Sequence, residues 1–341
     1  MNTVHSIRWS AKTALAVAIA FFCCGACASG TPESSFTFDA VSTNLNRTKV
    51  VPTLESPTQR DSNYIWCASF IAAWKALERD VTRTSPRVSE DSLVVTLLNE
   101  SANPDNYIPE SSLYAVAGTL DSGIGERISA ELPKKFPETT PPEISGLHPQ
   151  SVIAYAYLEA DLEFQYPYKV NRTALKFSDS SDNVSDVASV GIRYEDSHSQ
   201  EKLRAQTAVL YKIQDFDQTR PAEFAVDIDT SSEHHQLILA SIERRESFAK
   251  MVEYVDYRTQ EYEQESNDRS LGDEDILLVP SMAWRISHEF AELNGLTFIN
   301  TPIRGYRIGT AQQEVMFRLD ETGARLKSRS LMLASESIPS Y

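Results

Sequence analysis

The sequence predicts an α+β domain, and three features carry that prediction. Helical and strand periodicities both occur between residues 61 and 341, without the regular strand–helix alternation that builds a doubly wound sheet. Residues 63–79 place Cys67, Phe70, Ile71, Trp74 and Leu77 at three- and four-residue steps, as one face of a helix does. Residues 151–166 form a strand pattern, apolar on both faces at first and then alternating, with Leu162, Phe164 and Tyr166 against Asp161, Glu163 and Gln165. The 341 residues suit one to two domains, and a chain this long buries a sizeable core without staples. With 32 Lys+Arg against 48 Asp+Glu, the net charge is −16. That excludes a general polyanion binder, so no nucleic-acid partner is expected.

The elements follow in order. Arg8 and Lys12 precede an uncharged apolar run at 14–24, too short to span a bilayer but suited to an export signal over 1–26. Two cleavage readings stand. Gly25, Ala26 and Cys27 end a lipobox-like pattern, in which Cys27 is lipidated; Ala26, Cys27 and Ala28 form an Ala-x-Ala site. Both place the protein outside the cytoplasm, in the periplasm or outer membrane or beyond, with membrane contact only through a lipid on Cys27. Residues 27–60, rich in Ser, Thr, Pro and Asn, read as a tether and domain entry. The remainder, 61–341, reads as one domain. Ser and Asp mark 178–186 as a turn or loop. Short strand patterns lie at 187–194, 207–213, 224–228 and 315–319. Phe248, Val252 and Val255 mark a helix running toward the charged stretch near 261–265. Residues 285–294 predict another helix, ended by Gly295.

Catalytic patterns are sparse. Cys23 and Cys24 leave with the signal, and Cys67 has no evident disulfide partner. Cys67 lies on an apolar stripe with Phe70 and Trp74, which predicts a packed thiol more than a nucleophile. His234 and His235 would point to opposite faces of a strand and cannot form one metal site alone. His288 and Glu289 fall on the expected helix without a zinc-protease spacing. Asp273, Glu274 and Asp275 read as a solvated turn. No phosphate loop or nucleophile elbow occurs in the sequence, and no cofactor or metal is predicted.

Four segments taken together resemble the serpin family. Residues 63–70, leading into 72–77, are similar to its Asn-containing strand and Ala/Leu-rich helix, with Cys67 and Ala68 where Ser-Pro is usual. Residues 152–164, with Thr173 and Phe177 beyond, are similar to its long sheet strand. Residues 276–280 and 289–296 resemble a third stretch, and 314–324 resemble the strand and hinge that open the reactive loop. The matches stand in the family's order over about 60–341.

The resemblance implies three β-sheets surrounded by helices, and an exposed bait loop over about 321–341. Its hinge would be Glu321, Gly323 and Ala324, and its bait bond would join Ser337 to Ile338. It also implies a nominal inhibitor of serine or cysteine proteases, elastase-like or subtilisin-like from the small Ser337. The chain stops at Tyr341, short of the family's last strands, so a C-terminally truncated domain is expected. Two other readings stand: a non-inhibitory binding or scaffolding lipoprotein of the same fold, and a cysteine hydrolase built on Cys67. The loop carries its own pattern. Counting from Gly323, Ala324, Leu326, Ser328, Ser330, Met332 and Ala334 share one uncharged face, while Arg325, Lys327, Arg329, Leu331 and Leu333 share the other. Insertion into a sheet requires such alternation. An amphipathic edge strand would show it too.

Overall fold

The computed structural model describes residues 48–59, 62–172, 174–178, 184–193, 200–213, 223–265, 269–273 and 275–336. The leader over 1–26, Cys27, Thr173, and the Ser337 and Ile338 bond lie outside them. Two short strands, β1 (Thr48–Val51) and β2 (Asn63–Trp66), pair in parallel. They lead into α1 (Ser69–Leu77), α2 (Leu93–Glu100), β3 (Leu113–Thr119), α3 (Ile124–Lys135) and β4 (Val152–Glu163). Short elements follow: β5 (Lys169–Val170), β6 (Leu175–Ser178), β7 (Val184–Val187), β8 (Ser189–Ile192), α4 (Glu201–Ala205), β9 (Thr207–Lys212), β10 (Phe224–Ile228) and β11 (Leu237–Ser241). The chain continues through α5 (Phe248–Glu265), β12 (Leu277–Pro280), β13 (Met282–Glu289), β14 (Tyr306–Asp320) and β15 (Gly323–Glu336).

The largest sheet is antiparallel throughout, in the order β13-β14-β15-β4-β3. Two three-stranded sheets, β11-β10-β9 and β12-β8-β5, and the β6-β7 hairpin complete the sheet set among the described residues. The α+β class therefore holds, with several sheets and few helices. Of the described helices, none is long and apolar enough to cross a membrane.

Helix α1 explains how the large sheet is backed. Its sequence, SFIAAWKAL, is rich in good helix formers, and every residue except Lys75 is buried. A helix apolar nearly all round has to be enclosed. It lies across β3, β4 and β15, with the Phe70 ring 4.2 Å from that of Phe290. One π-helical turn, Glu78–Thr82, continues it and ends at Arg83 in the left-handed region (φ 59°). That turn also protects the edge of the sheet. Arg79 Nη2 donates to the Ala115 carbonyl (2.9 Å), and the Ala117 amide donates to Asp80 Oδ2 (3.1 Å). Two side chains thus stand where a further strand would bond to β3. On the opposite face, α3 covers β3 and β4 through Ile124, Ile128 and Leu132, packed on Tyr114, Ile153, Tyr155 and Tyr157.

Three sequence expectations need correction. Residues 184–186, expected in a turn or loop, belong to β7, which pairs with β6. Residues 63–66 are strand, not helix, because Tyr64, Ile65 and Trp66 are buried in the pair with β1, and the helix begins only at Ser69. Residues 285–289 are also strand, because all eight residues of β13 pair with β14. Only a 3-10 turn, Ala291–Leu293, follows. Gly295 (φ 84°) does not end a helix; its N–H donates to the Ile308 carbonyl at 2.7 Å.

Candidate functional site

The segment that the sequence marks as a loop is the middle of the large sheet. After β14 the chain turns in two residues, Glu321 and Thr322, and returns as β15 between β14 and β4. The exposed loop expected over 321–341 is thus, from Gly323 to Glu336, a strand, with a neighbour on each side as far as Ala334. It is not an edge strand. Every residue from 323 to 334 faces one on β4, from Gly323 opposite Glu163 to Ala334 opposite Val152.

The turn is fixed by Asp320. Its Oδ1 accepts the Thr322 amide (2.8 Å) and hydroxyl (2.6 Å), and Arg318 pairs with its other oxygen. Burial pushes this carboxyl up, but the Thr322 bonds and the Arg318 charge outweigh burial and hold it below the ordinary value. The Phe164 amide donates to the Thr322 carbonyl (2.9 Å), and the Tyr168 amide to the Glu321 carbonyl (2.8 Å). Gly323 has φ 152°, a conformation that L side chains rarely adopt, and a Cβ there would sit 2.1 Å from the Leu162 carbonyl oxygen. Here the glycine serves close approach of two strands. Of the three expected hinge residues, Ala324 is buried in the strand, Gly323 starts it, and Glu321 lies in the turn.

The two faces of β15 match the sequence pattern. Ala324, Leu326, Ser328, Ser330, Met332 and Ala334 are all buried on the α1 side. Among them lies a polar cluster. Ser69 Oγ, in the first turn of α1, is 2.8 Å from both Ser328 Oγ and Ser330 Oγ. Gln313 of β14 donates through Nε2 to Ser69 Oγ (2.8 Å) and to the Cys67 carbonyl (2.9 Å), and Ser328 Oγ donates to the Glu314 carbonyl (2.9 Å). All four side chains are at most 1% exposed. They are satisfied almost wholly by one another, and Gln313 Oε1 alone has no partner. The cluster joins residues about 260 positions apart and holds only in this register.

The cations occupy the other face. Arg325 pairs with Asp161 (3.0 Å), Lys327 with Glu159 (3.1 Å), and Arg329 with Glu314 (2.6 Å), which also takes Arg285 from β13. Lys327 departs from the expected solvent exposure, since it is buried beside Glu159.

The remaining candidates disperse. Cys67 is a packed core thiol, 3% exposed, and burial pushes it up, opposite to what an activated nucleophile needs. That setting is the one of a structural thiol. His234 and His235 precede β11 and are not on a strand. His235 bonds Ser112 Oγ (3.0 Å) and Ser232 Oγ (2.6 Å) through its two ring nitrogens. His288 lies on β13, not on a helix, edge-on to the Phe290 ring at 4.8 Å. The expected solvated turn is built around Arg204, which donates to the carbonyls of Gly272, Asp273 and Asp275; Asp275 accepts from Lys212 (2.9 Å). Glu274 lies outside the described residues. Sequence reading missed Ser69 and Gln313. The available signal was a glutamine in the inward row of Ala311, Val315, Phe317 and Leu319, where a polar residue needs a partner.

No family model matches the chain, and no curated protein matches it. Solved structures that resemble it are serpins. The viral serpin CrmA is 9% identical, with a TM-score of 0.45 over 79% of this chain and 93% of its own. Reactive-loop-cleaved human thyroxine-binding globulin is 11% identical, with a TM-score of 0.45 over 78% and 89%. Reaction-loop-cleaved lamprey angiotensinogen is 9% identical, with a TM-score of 0.44 over 78% and 88%. The class that the fold itself defines is an α+β protein of several sheets. The likeness is one of fold, at low identity.

Proposed function

We propose that the protein is a non-inhibitory, serpin-like binding or scaffolding protein, exported by the leader over 1–26 and tethered to a membrane through Cys27. One observation carries the first part: Gly323–Ala334 is paired on both sides, to β14 and to β4. A bait segment has to be exposed to enter a protease. Withdrawing β15 would break two ladders, divide the sheet into β13-β14 and β4-β3, and expose the Ser69 cluster. The two-residue turn leaves no slack for partial withdrawal. The export part is supported by the basic, apolar and small-residue order of the first 27 positions.

Incubation of the purified chain with elastase-like, subtilisin-like and trypsin-like proteases tests this reading. It expects no protease adduct that survives denaturation, and no native cleavage at Arg325, Lys327 or Arg329. A stable adduct would restore the inhibitor reading. Mass spectrometry of the N-terminus of membrane-extracted protein tests the tether: a diacylated Cys27 is expected, and an N-terminus beginning at Ser29 with no lipid contradicts it.

A further inference from the structure

A second candidate site lies away from β15, at the segment joining β11 to α5. A surface cavity of about 540 Å³ opens there, lined by Arg244, Arg245, Glu246, Lys250, Glu253, Tyr254 and Tyr257. That volume lies in the range of small-molecule sites. Its charge is unusual for this chain: three cations meet two carboxylates in a protein of net charge −16.

The central feature is Arg245. Its guanidinium carbon lies 3.9 Å from the centre of the Tyr254 ring, so the group is stacked and oriented. The Tyr254 hydroxyl is anchored in turn by donating to Glu223 Oε2 (2.7 Å). Yet Arg245 makes no ion pair with a carboxylate among the described residues, and its buried Nε has no hydrogen-bond partner. An arginine fixed on an aromatic ring, facing a cavity and left without an anion, is a preorganised anion receptor. Arg244 beside it is also committed to no carboxylate, since it donates to the backbone carbonyls of Gln59 and Ser62. Lys250 is held by Glu253 at 2.7 Å, on the exposed rim. Tyr257 is 54% exposed and, among the described residues, offers an aromatic face without a partner ring. The first-turn amides of α5 at Ala249 and Lys250 are already satisfied, by the Leu54 carbonyl and by Ser247 Oγ.

The geometry points to a binding site for a small organic anion with a flat ring. The acidic group would meet Arg245 with Arg244 and Lys250 near it, and the ring would lie on Tyr257. The site stands independently of the role given to β15.

Calorimetric titration of the full chain with naphthalene-2-sulfonate tests this. Inorganic sulfate and 2-naphthalenemethanol serve as comparators, carrying the charge alone and the ring alone. The expected result is saturable one-to-one binding of the sulfonate, with both comparators at least tenfold weaker. Arg245→Gln should weaken the sulfonate at least tenfold, and Arg127→Gln on α3 should leave it unchanged. Should Arg245→Gln lower the melting midpoint, the exposed Tyr257→Ser and Lys250→Gln replace it, and each should weaken the sulfonate at least threefold. Equal binding of the neutral ring, equal binding of sulfate, or indifference to these substitutions would overturn the proposal.

Discussion

The inward face of β15 rests on α1 through apolar side chains and a polar cluster sealed from water, whereas the Arg325 end of its outward face meets a carboxylate near solvent. The contrast separates two functions of one strand. Inside, Ser69, Gln313, Ser328 and Ser330 are buried, so losing one partner leaves the others short of a hydrogen bond away from water. Outside, Arg325 can exchange Asp161 for water at little cost, and its pair mainly marks the register. The inward face should therefore carry the stability, and the exposed Arg325 position of the outward face should be tolerant.

The largest expected effect breaks the comparison altogether. A chain ending at Asp320 loses both faces, and its cooperative thermal transition, followed by circular dichroism, should disappear or fall far below that of the full chain. An unchanged midpoint would mean that β15 contributes nothing. Next comes the apolar part of the inward face. Leu326→Ala should cost about 2–5 kcal/mol, read as a midpoint shift on the order of 1–2 °C per kcal/mol for a domain of this size. Ser69→Ala should cost roughly 1–3 kcal/mol, since it leaves Gln313 and two serines short of a partner. A neutral Ser69→Ala would show that the cluster does not hold the register.

The turn gives a pH-dependent test. The Asp320 carboxyl is held below its ordinary value in the folded chain. Its contribution is then fully present above the unfolded carboxylate pKa of about 3.9 and is lost as pH falls through the lower folded value. Stability should drop in that acid window, and the drop should be smaller in Asp320→Asn when urea midpoints are compared between pH 5 and pH 2. The smallest effect belongs to the outward face: Arg325→Gln should change stability by no more than about 0.5 kcal/mol. A loss as large as that of Ser69→Ala would reverse the assignment of the two faces.

The sequence made parts of this legible and hid others for identifiable reasons. The strand β4 was readable because its first residues are apolar on both faces, and both faces are covered, by α1 and by α3. Helix α5 and strands β9 and β10 were readable from their periodicities. Residues 285–294 misled because Ile286, Phe290 and Leu293 fall at helical spacing, while the exposed Arg285, Ser287 and Glu289 already showed the alternation that pairing with β14 realises. The alternation in β15 was visible, but it fits an edge strand as well as a central one. What decides between them is the complementary groove between β14 and β4, together with Ser69 some 260 residues earlier, and local pattern cannot report either. The cavity at Arg245 was illegible for the same reason: its stack on Tyr254 and the missing carboxylate are properties of the folded surface.

Hydrogen–deuterium exchange of the intact chain, read on peptides covering residues 324–334, tests the central claim most directly. If β15 is a permanent central strand, its amides exchange among the slowest in the protein, together with those of β4, because only large-scale opening frees them. Exchange of that segment within seconds, while β4 stays protected, would contradict the account and return residues 323–336 to an exposed loop.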